Sequence, residues 1–250
     1  MMVNERQRRI LEELEKKPDI TVRELAQILY VSEPTIRRDF TELDSKGIIT
    51  KVYGGAILHQ GAADREIPFF FRQQEKSSVK SRMGAKAASL VKDGMVVMMD
   101  GSTSAFHLVP YLAQRKDLIV VTSGAKTAVA LAEANIRTFC TGGQMLIHSF
   151  SYVGEQAESF IRNINADILF FSCRGLSEQG YMSDPSVEEA NLRKVMFEYS
   201  KQKVLLCDSS KFDHTYFYNI GHISKIDTII SESPLPDNIQ TILNKKEGLL

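Results

Sequence analysis

Short apolar runs alternate with helical stretches through most of the chain, and this alternation restricts the fold more than any other feature. Six runs have the length and composition of buried strands, at residues 95–99, 118–121, 136–140, 168–171, 203–207 and 228–230. Helical spacing is found over residues 72–91 and near residues 104–114, 124–134, 154–162, 186–200 and 237–245. Strands that alternate with helices predict right-handed crossovers and a mostly parallel, Rossmann-like sheet with helices on both faces.

The beginning of the chain does not follow this pattern and predicts a small α+β domain. Residues 5–17 place apolar side chains at helical spacing, and a capping box of Thr21 and Glu24 predicts the start of a second helix. Ser32 is an N-cap residue for a third helix, since its hydroxyl accepts a hydrogen bond from a free N–H group. Residues 48–58 contain two strand-like runs around a pair of glycines, which predicts a hairpin.

A polar stretch after this hairpin predicts a linker. Residues 59–66 are small or polar and lack periodic apolar positions. We therefore predict two domains: a winged helix-turn-helix domain over residues 1–58 and an α/β domain over residues 73–250, joined by a linker over residues 59–72.

The third helix is predicted to have one apolar and one polar face. Ile36, Phe40 and Leu43 fall on the core side, and the opposite side is basic near the N terminus. Such a helix fits the major groove of DNA, where arginine forms a bidentate pair with guanine. From this helix and the hairpin we expect DNA contacts by Ser32, Glu33, Pro34, Thr35, Arg37, Arg38, Thr41, Lys51 and Tyr53.

Bulk charge does not support a nucleic acid partner. The chain has 31 Lys+Arg and 31 Asp+Glu, and residues 1–60 have 10 of each. Acidic residues of the third helix, among them Asp39 and Glu42, oppose a purely electrostatic role. We therefore expect weak nonspecific affinity and a dimer that reads two half-sites of double-stranded operator DNA.

Three helices and a hairpin also occur in protein-interaction modules, so a structural adaptor is an alternative.

Small and polar residues follow five of the predicted strands. Because the carboxyl ends of parallel strands meet at one edge of a sheet, these loops are expected to line one ligand crevice. Serine hydroxyls, N–H groups at a helix start and Lys211 suit a phosphorylated small molecule, although ordinary turn and N-cap preferences explain any single loop. The residues predicted to bind this ligand are Asp100, Gly101, Ser102, Thr103, Ser104, Thr122, Ser123, Gly124, Gly142, Gly143, Arg174, Asp208 and Lys211.

Two parts of the chain resemble the DeoR family of bacterial transcriptional regulators. The spacing of Arg6, Ile10 and Leu14 before residues 32–40 resembles its helix-turn-helix, and the polar loops follow the order of its phosphosugar-isomerase-like sensor domain. The resemblance implies a homo-oligomeric repressor of a carbohydrate operon, controlled by a phosphorylated sugar and needing no cofactor. At position 174 this chain has an arginine, whereas family members usually have an acidic residue. The Arg174 side chain faces either the crevice or solvent.

A sugar-phosphate isomerase is the alternative function. Asp100, Asp208 and Lys211 are the candidate acid, base and phosphate groups for that reaction, but the sequence fixes no acid–base pair at a known separation. An enzyme also has no need for the N-terminal domain. We therefore expect a regulator and no enzymatic activity.

The remaining features exclude membrane and disulfide classes. No apolar run approaches the ~18 residues that span a bilayer. The N terminus lacks the apolar segment of a secretory signal, so a cytoplasmic protein without a membrane partner is expected. Cys140, Cys173 and Cys207 lie in apolar stretches, which predicts reduced thiols rather than a disulfide or a metal site.

Overall fold

The computed structural model describes residues 4–17, 20–52, 54–58 and 69–247, and the chain divides into two compact units, Met1–Phe71 and Arg72–Leu250. Pro18, Tyr53 and residues 59–68 of the predicted linker lie outside the described residues. None of the described helices is long and apolar enough to cross a membrane.

The first unit contains the three helices and the hairpin expected from the sequence. Its elements are α1 (Glu5–Lys16), α2 (Val22–Ile28), α3 (Glu33–Ser45), β1 (Ile49–Val52) and β2 (Gly55–Leu58). The capping box at the start of α2 is confirmed, because Thr21 and Glu24 each accept from the other's backbone N–H. Ile36, Phe40 and Leu43 lie in the buried core, as predicted.

An ion pair that the sequence did not reveal joins α1 to α3. Arg6 donates from Nε to Asp39 Oδ2 at 2.6 Å and from Nη2 to Asp39 Oδ1 at 3.1 Å. Gln7, which is fully buried, donates to Glu42 Oε2 at 2.7 Å. α1 therefore contacts both of these acidic side chains of α3, and Arg6 offsets the charge of Asp39.

The second unit is built on a parallel sheet. Its strands are β3 (Val96–Met99), β4 (Ile119–Thr122), β5 (Arg137–Cys140), β6 (Gln144–Leu146), β7 (Ser151–Val153), β8 (Ala166–Phe171), β9 (Gly175–Leu176), β10 (Tyr181–Asp184), β11 (Ser200–Leu206), β12 (Tyr218–His222) and β13 (Thr228–Ile230). Six of them form one sheet in the order β13-β11-β8-β3-β4-β5, with every pair parallel. These are the six strands predicted from the sequence.

Five further strands were not predicted. β6 pairs with β7 in a hairpin, and β9, β10 and β12 form a small antiparallel sheet. They have two to five residues and lack the continuous apolar runs by which the six main strands were recognised.

The helices of the second unit cover the main sheet on both faces. They are α4 (Phe69–Gln74), which begins before the boundary between the units, α5 (Ser77–Ala88), α6 (Thr103–Phe106), α7 (Val109–Leu112), α8 (Ala125–Glu133), α9 (Glu155–Arg162), α10 (Val187–Glu198) and α11 (Asp237–Glu247). Alternate residues of the central strands pack into two separate cores, with Met98 and Leu169 in one and Val97 and Ile168 in the other.

Two predicted helices are interrupted. The helix predicted over residues 72–91 breaks between α4 and α5, where Lys76 has a positive φ of 50°. The helix predicted over residues 104–114 divides into α6 and α7, because Pro110 has no N–H with which to continue the first helix. The helix that follows the 100–104 loop is therefore a single turn.

The chain reverses its direction across the sheet between β3 and β8. From β3 it proceeds through β4 to β5, then returns to the other side of β3 and continues through β8 and β11 to β13. In open parallel sheets this reversal separates the loops at the carboxyl ends and leaves a crevice for ligands. Asp100 and Ser172, which follow β3 and β8, lie at this point.

The Arg6–Asp39 pair predicts a measurable loss of local stability. Arg6→Met leaves the carboxylate of Asp39 buried with fewer partners, so the opening free energy of α1 and α3 amides should fall by ~1–3 kcal/mol. Native-state hydrogen exchange of the full chain measures it. Arg9→Met, at an exposed position of α1, serves as the control, and an equal effect of both variants would contradict the structural role of the pair.

Candidate functional site

The polar face of α3 is exposed where DNA contacts were predicted. Ser32, Pro34 and Thr41 are exposed. The Arg37 side chain is 60% exposed and pairs with Glu33 at 3.3 Å, whereas that of Arg38 is 83% exposed and reaches only 3.9 Å from Glu42. Arg38 therefore has the larger freedom to meet a base edge. The DNA role of all these residues stays a prediction.

Ser32 occupies the N-cap position, but its hydroxyl does not cap the helix. The Ser32 Oγ lies 2.9 Å from Thr35 Oγ1 and forms no hydrogen bond to an N–H group of the first turn. The predicted side-chain cap is wrong, since the two hydroxyls bond to each other. Both hydroxyls remain at the start of α3, where donors suit phosphate oxygens.

The hairpin places one cation against α3. The Lys51 N–H donates to Asp44 Oδ1 at 3.1 Å, and its Nζ lies 3.4 Å from Thr41 Oγ1. The structure therefore brings Lys51 beside the polar face of α3, as the winged arrangement requires.

A small, tightly lined crevice opens at the carboxyl ends of the sheet strands. Its lining combines three predicted residues with four others: Asp100, Gly101 and Ser123, then Ser151, Glu189, Leu192 and Arg193. The loops are tightly packed here, because a Cβ at Gly101 would overlap the Ser151 hydroxyl. The β6–β7 hairpin is held against this edge by a hydrogen bond of 2.7 Å from Tyr152 N–H to the Ser123 carbonyl.

Arg193 is the centre of a buried charge cluster beside this crevice. Its guanidinium donates to Asp100 Oδ2 at 2.8 Å, to Asp184 Oδ2 at 2.8 Å and to Glu189 Oε2 at 3.4 Å. Asp100 also accepts from the backbone N–H groups of Ser102 and Ser172, each at 3.1 Å. One side chain of α10 thus ties together the ends of β3, β8 and β10.

The cluster shifts the titration of its members. Burial alone would lower the pKa of Arg193, but the three carboxylates outweigh it and raise the pKa. Burial raises the pKa of Asp184 in spite of Arg193. For Glu189 the charges of Arg193 and Arg72 outweigh burial and lower the pKa. The cluster therefore holds a permanent cation among acids that are kept from solvent.

A second charged group, with more cations than acids, lies at the end of β11. The Lys211 Nζ donates to Ser172 Oγ at 2.6 Å, lies 3.4 Å from Ser104 Oγ and 3.5 Å from Asp208 Oδ2. Lys76 approaches the other Asp208 oxygen at 3.6 Å. The structure thus brings Ser104, Asp208 and Lys211 together, as the sequence predicted.

The electrostatics of Asp208 reflect these cations. Burial alone would raise its pKa, but Lys211, the Ser210 hydroxyl and Lys76 outweigh burial and lower the pKa to about 2. Asp208 is therefore ionised at any physiological pH, and its charge is more than matched by the lysines around it.

The other predicted crevice residues occupy supporting positions. Thr122 is buried, and its Oγ1 accepts from the Gly124 N–H at 3.0 Å. Gly143 packs against Val153 and Ala157, and Gly142 precedes it in the turn before β6. Ser102 accepts from the Ala105 N–H at 3.1 Å and caps α6, of which Thr103 is the first residue.

Arg174 is half-buried and directly precedes β9. Its guanidinium carbon is 5.9 Å from the centre of the Tyr216 ring, and its charge lowers the pKa of Asp184 against the larger effect of burial. Whether it contacts a ligand stays a prediction.

Sequence reasoning missed the charged groups that complete the site. Glu189 and Arg193 are four residues apart on a helix, which is also the spacing of an ordinary surface ion pair. Lys76 and Lys80 lie among polar residues and have the pattern of a solvated helix face. An internal cation in α10, next to the apolar Leu192, Val195 and Met196, was the one available indication.

Family comparisons agree with both units. A DeoR-like helix-turn-helix domain matches residues 6–61, and a DeoR C terminal sensor domain matches residues 75–233. The chain belongs to the DeoR family of transcriptional regulators. The resemblance inferred from residues 32–40 and from the strand-end loops is thereby confirmed.

Relatives of this DeoR-family chain match it over nearly the full length. The L-fucose operon activator of Haemophilus influenzae is 31% identical over 95% of this chain and 95% of its own. A putative aga operon transcriptional repressor of Escherichia coli O157:H7 is 30% identical over 93% of this chain and 87% of its own. Among solved structures, eIF2B delta from Chaetomium thermophilum has a TM-score of 0.50 at 17% identity, over 66% of this chain and 60% of that one, which supports the fold alone.

The exposure of Arg38 predicts a specific contribution to DNA binding by this DeoR-family regulator. Arg38→Ala should weaken binding to a fragment of the protein's own upstream region by ~1–3 kcal/mol and relax discrimination at one base pair, because a guanine-reading fork is lost. Fluorescence anisotropy at fixed salt measures this. Arg162→Ala, which removes an exposed arginine of the second unit, is the matched control. Equal affinities of the Arg38 variant and the control would remove Arg38 from base recognition.

The Arg193 cluster predicts a large stability effect. Arg193→Met leaves three buried carboxylates without their common cation, so the free energy of unfolding of the second unit should fall by ~3–5 kcal/mol. Urea unfolding of the full chain provides the measurement. Arg162→Met breaks an exposed pair with Glu158 and should cost less than ~1 kcal/mol. A small loss in the Arg193 variant would show that the carboxylates are protonated or solvated.

Proposed function

We propose that this DeoR-family chain is a DNA-binding repressor of a carbohydrate operon, and that a phosphorylated sugar bound at the strand ends of its second unit controls its affinity for DNA. One observation carries the choice of ligand: two lysines, Lys76 and Lys211, contact the single carboxylate of Asp208, with two serine hydroxyls beside them.

The distribution of charge at the strand ends favours an anion beside Asp208 and Lys211. In the Arg193 cluster three carboxylates face Arg193, with Arg72 and Arg174 close enough to act on Glu189 and Asp184, so the charges balance. Around Asp208 the cations are in excess. A phosphate dianion placed beside Lys211 would accept hydrogen bonds from Lys211 and from the Ser104 hydroxyl. The Ser172 hydroxyl donates to the Leu206 carbonyl at 2.6 Å and accepts from Lys211, so it holds the lysine in place.

The same geometry divides the predicted ligand residues into two roles. The two oxygens of Asp100 already accept hydrogen bonds from Ser102, Ser172 and Arg193, so we expect Asp100 to hold its loop in place. Lys211 is 13% exposed and can reach a ligand. Arg174 remains our candidate for a second anionic group on the ligand, such as a carboxylate.

The first unit supports the DNA-binding half of the proposal. The exposed face of α3 carries Arg37 and Arg38, and Lys51 extends the cationic surface to the hairpin. Because one short helix covers only a few base pairs, we propose that a homo-oligomer, a dimer or higher, reads two half-sites of double-stranded operator DNA.

The relatives support control of sugar metabolism and leave the sign of regulation to experiment. One of the two reported relatives is named an activator of an L-fucose operon and the other a putative repressor of an aga operon. We propose repression, in which the sugar phosphate lowers DNA affinity.

The site is poorly arranged for a sugar-phosphate isomerase, the alternative function. Aldose–ketose isomerisation needs a general base whose pKa lies near the working pH. Asp208 has a pKa of about 2, and both oxygens of Asp100 are already hydrogen-bonded. Lys80 has a pKa of about 7, but its ammonium donates to the backbone carbonyls of Arg72 and Glu75. We therefore propose that the chain is not an enzyme.

Removing Lys211 should separate DNA binding from its control. Lys211→Ala should keep DNA affinity within about 2-fold of wild type and lose the 5- to 150-fold weakening expected of a coupled sugar phosphate. The experiment titrates the upstream DNA fragment with and without ribose 5-phosphate, fructose 6-phosphate and glycerol 3-phosphate. Lys225→Ala, at an exposed position, should respond as wild type does. A normal response of the Lys211 variant would show that the ligand binds elsewhere.

A further inference from the structure

Lys80 forms an internal cap on the helix at the start of the second unit. It is 4% exposed, and its ammonium donates to the carbonyls of Arg72 and, at 2.9 Å, Glu75. Arg72 lies in the last turn of α4, and Glu75 follows the helix directly. Carbonyls at the end of a helix have no later N–H group of that helix to bond, so a buried ammonium satisfies them.

The charge of Lys80 is sensitive to the crevice. Burial lowers its pKa to about 7, and the nearby positive charge of Lys211 acts in the same direction. The amine is therefore divided between its charged and neutral forms at neutral pH. The titratable and charged groups that act on Lys80, or on which it acts, are Arg72, Glu75, His107, Asp208 and Lys211.

Two neighbouring cations link the same segment to the two charged groups at the strand ends, one by contact and one through its charge. Lys76 lies 3.6 Å from Asp208 Oδ1, and the charge of Arg72 acts on Glu189. The 72–80 segment is thus held at Asp208 by Lys76 and at the end of α4 by Lys80, and it is electrostatically coupled to the Arg193 cluster by Arg72. In the chain, α4 begins at Phe69, near the end of the first unit, and continues into the second.

We propose that Lys80 is a positioning residue that couples the occupied crevice to the end of α4: an anion beside Lys211 stabilises the charged ammonium of Lys80, which then holds the carbonyls of Arg72 and Glu75 more tightly. The inference rests on the proposed function and adds its route of regulation. The physical reason is that a nearby anion offsets the repulsion between Lys211 and Lys80. A charged donor then forms a hydrogen bond about twice as strong as a neutral one.

Hydrogen–deuterium exchange of the full-length protein tests this step. The probes are inorganic phosphate, ribose 5-phosphate and fructose 6-phosphate, each at pH 7.5 and at a concentration that saturates its thermal shift. In the wild type, peptides covering residues 69–76 should exchange at least about 3-fold more slowly with a bound probe, because the end of α4 opens less often. In Lys80→Met the probe should still raise the unfolding temperature, and the exchange of these peptides should stay unchanged.

The DNA response provides the second readout. A probe that weakens wild-type binding to the upstream fragment at least 5-fold should change the affinity of Lys80→Met by less than about 2-fold. Lys86→Met, at an exposed position of the same helix, should behave as wild type in both assays. If Lys80→Met responds like the wild type in exchange and in DNA binding, the role of Lys80 is overturned and the proposed function stays intact.

Two further outcomes distinguish a failure of the ligand class from a failure of the Lys80 coupling. If no probe shifts the unfolding temperature of the wild type, the proposed ligand class is wrong, and the coupling proposal fails with it. If Lys80→Met does not fold, the test uses the wild type alone. The slowing of exchange by a saturating probe is then compared between pH 6 and pH 8. At pH 6 the ammonium is already charged without a ligand, so the probe should slow exchange less than at pH 8. Equal slowing at both would contradict the proposal.

Discussion

The second unit depends on a single buried guanidinium. Arg193 of α10 is bonded to three carboxylates, and through them it fixes the loops that follow β3 and β10. These loops, with Ser172 after β8, meet at the reversal in strand order, where a parallel sheet leaves its crevice. Buried carboxylates without a cation would be costly, so the packing of the site and its charge are determined together.

The two charged groups at the strand ends differ in their balance of charge. The carboxylates around Arg193 are already paired, whereas the lysines near Asp208 exceed its charge and are accompanied by hydroxyls. The first unit repeats this arrangement on a smaller scale. Arg6 neutralises Asp39 inside the fold, which leaves the arginines of α3 to face outwards. In both units, internal ion pairs hold the scaffold, and the cations that we propose to meet an anionic partner lie outside those pairs.

The sequence predicted the parts that depend on local patterns. The six apolar strands, the capping box of α2 and the apolar side of α3 each follow from spacing along a single element. Arg193 and Lys80 were missed because an i,i+4 pair or a lysine in a helix has the same pattern whether it is buried or solvated. Their roles depend on contacts between distant segments, as with Asp100 and Arg193, which are 93 residues apart. The break before Lys76 likewise depends on tertiary contacts rather than on a helix-breaking residue.

The central claim is that the DNA affinity of the first unit responds to an anion bound in the second. The most direct measurement is an equilibrium titration of the wild-type protein against a fluorescent fragment of its own upstream region, at fixed salt, with and without a panel of sugar phosphates. The account predicts saturable binding that resists competitor DNA and that one compound weakens at least about 5-fold. Absence of specific binding under every condition, together with turnover of a sugar phosphate, would contradict the account and favour an isomerase.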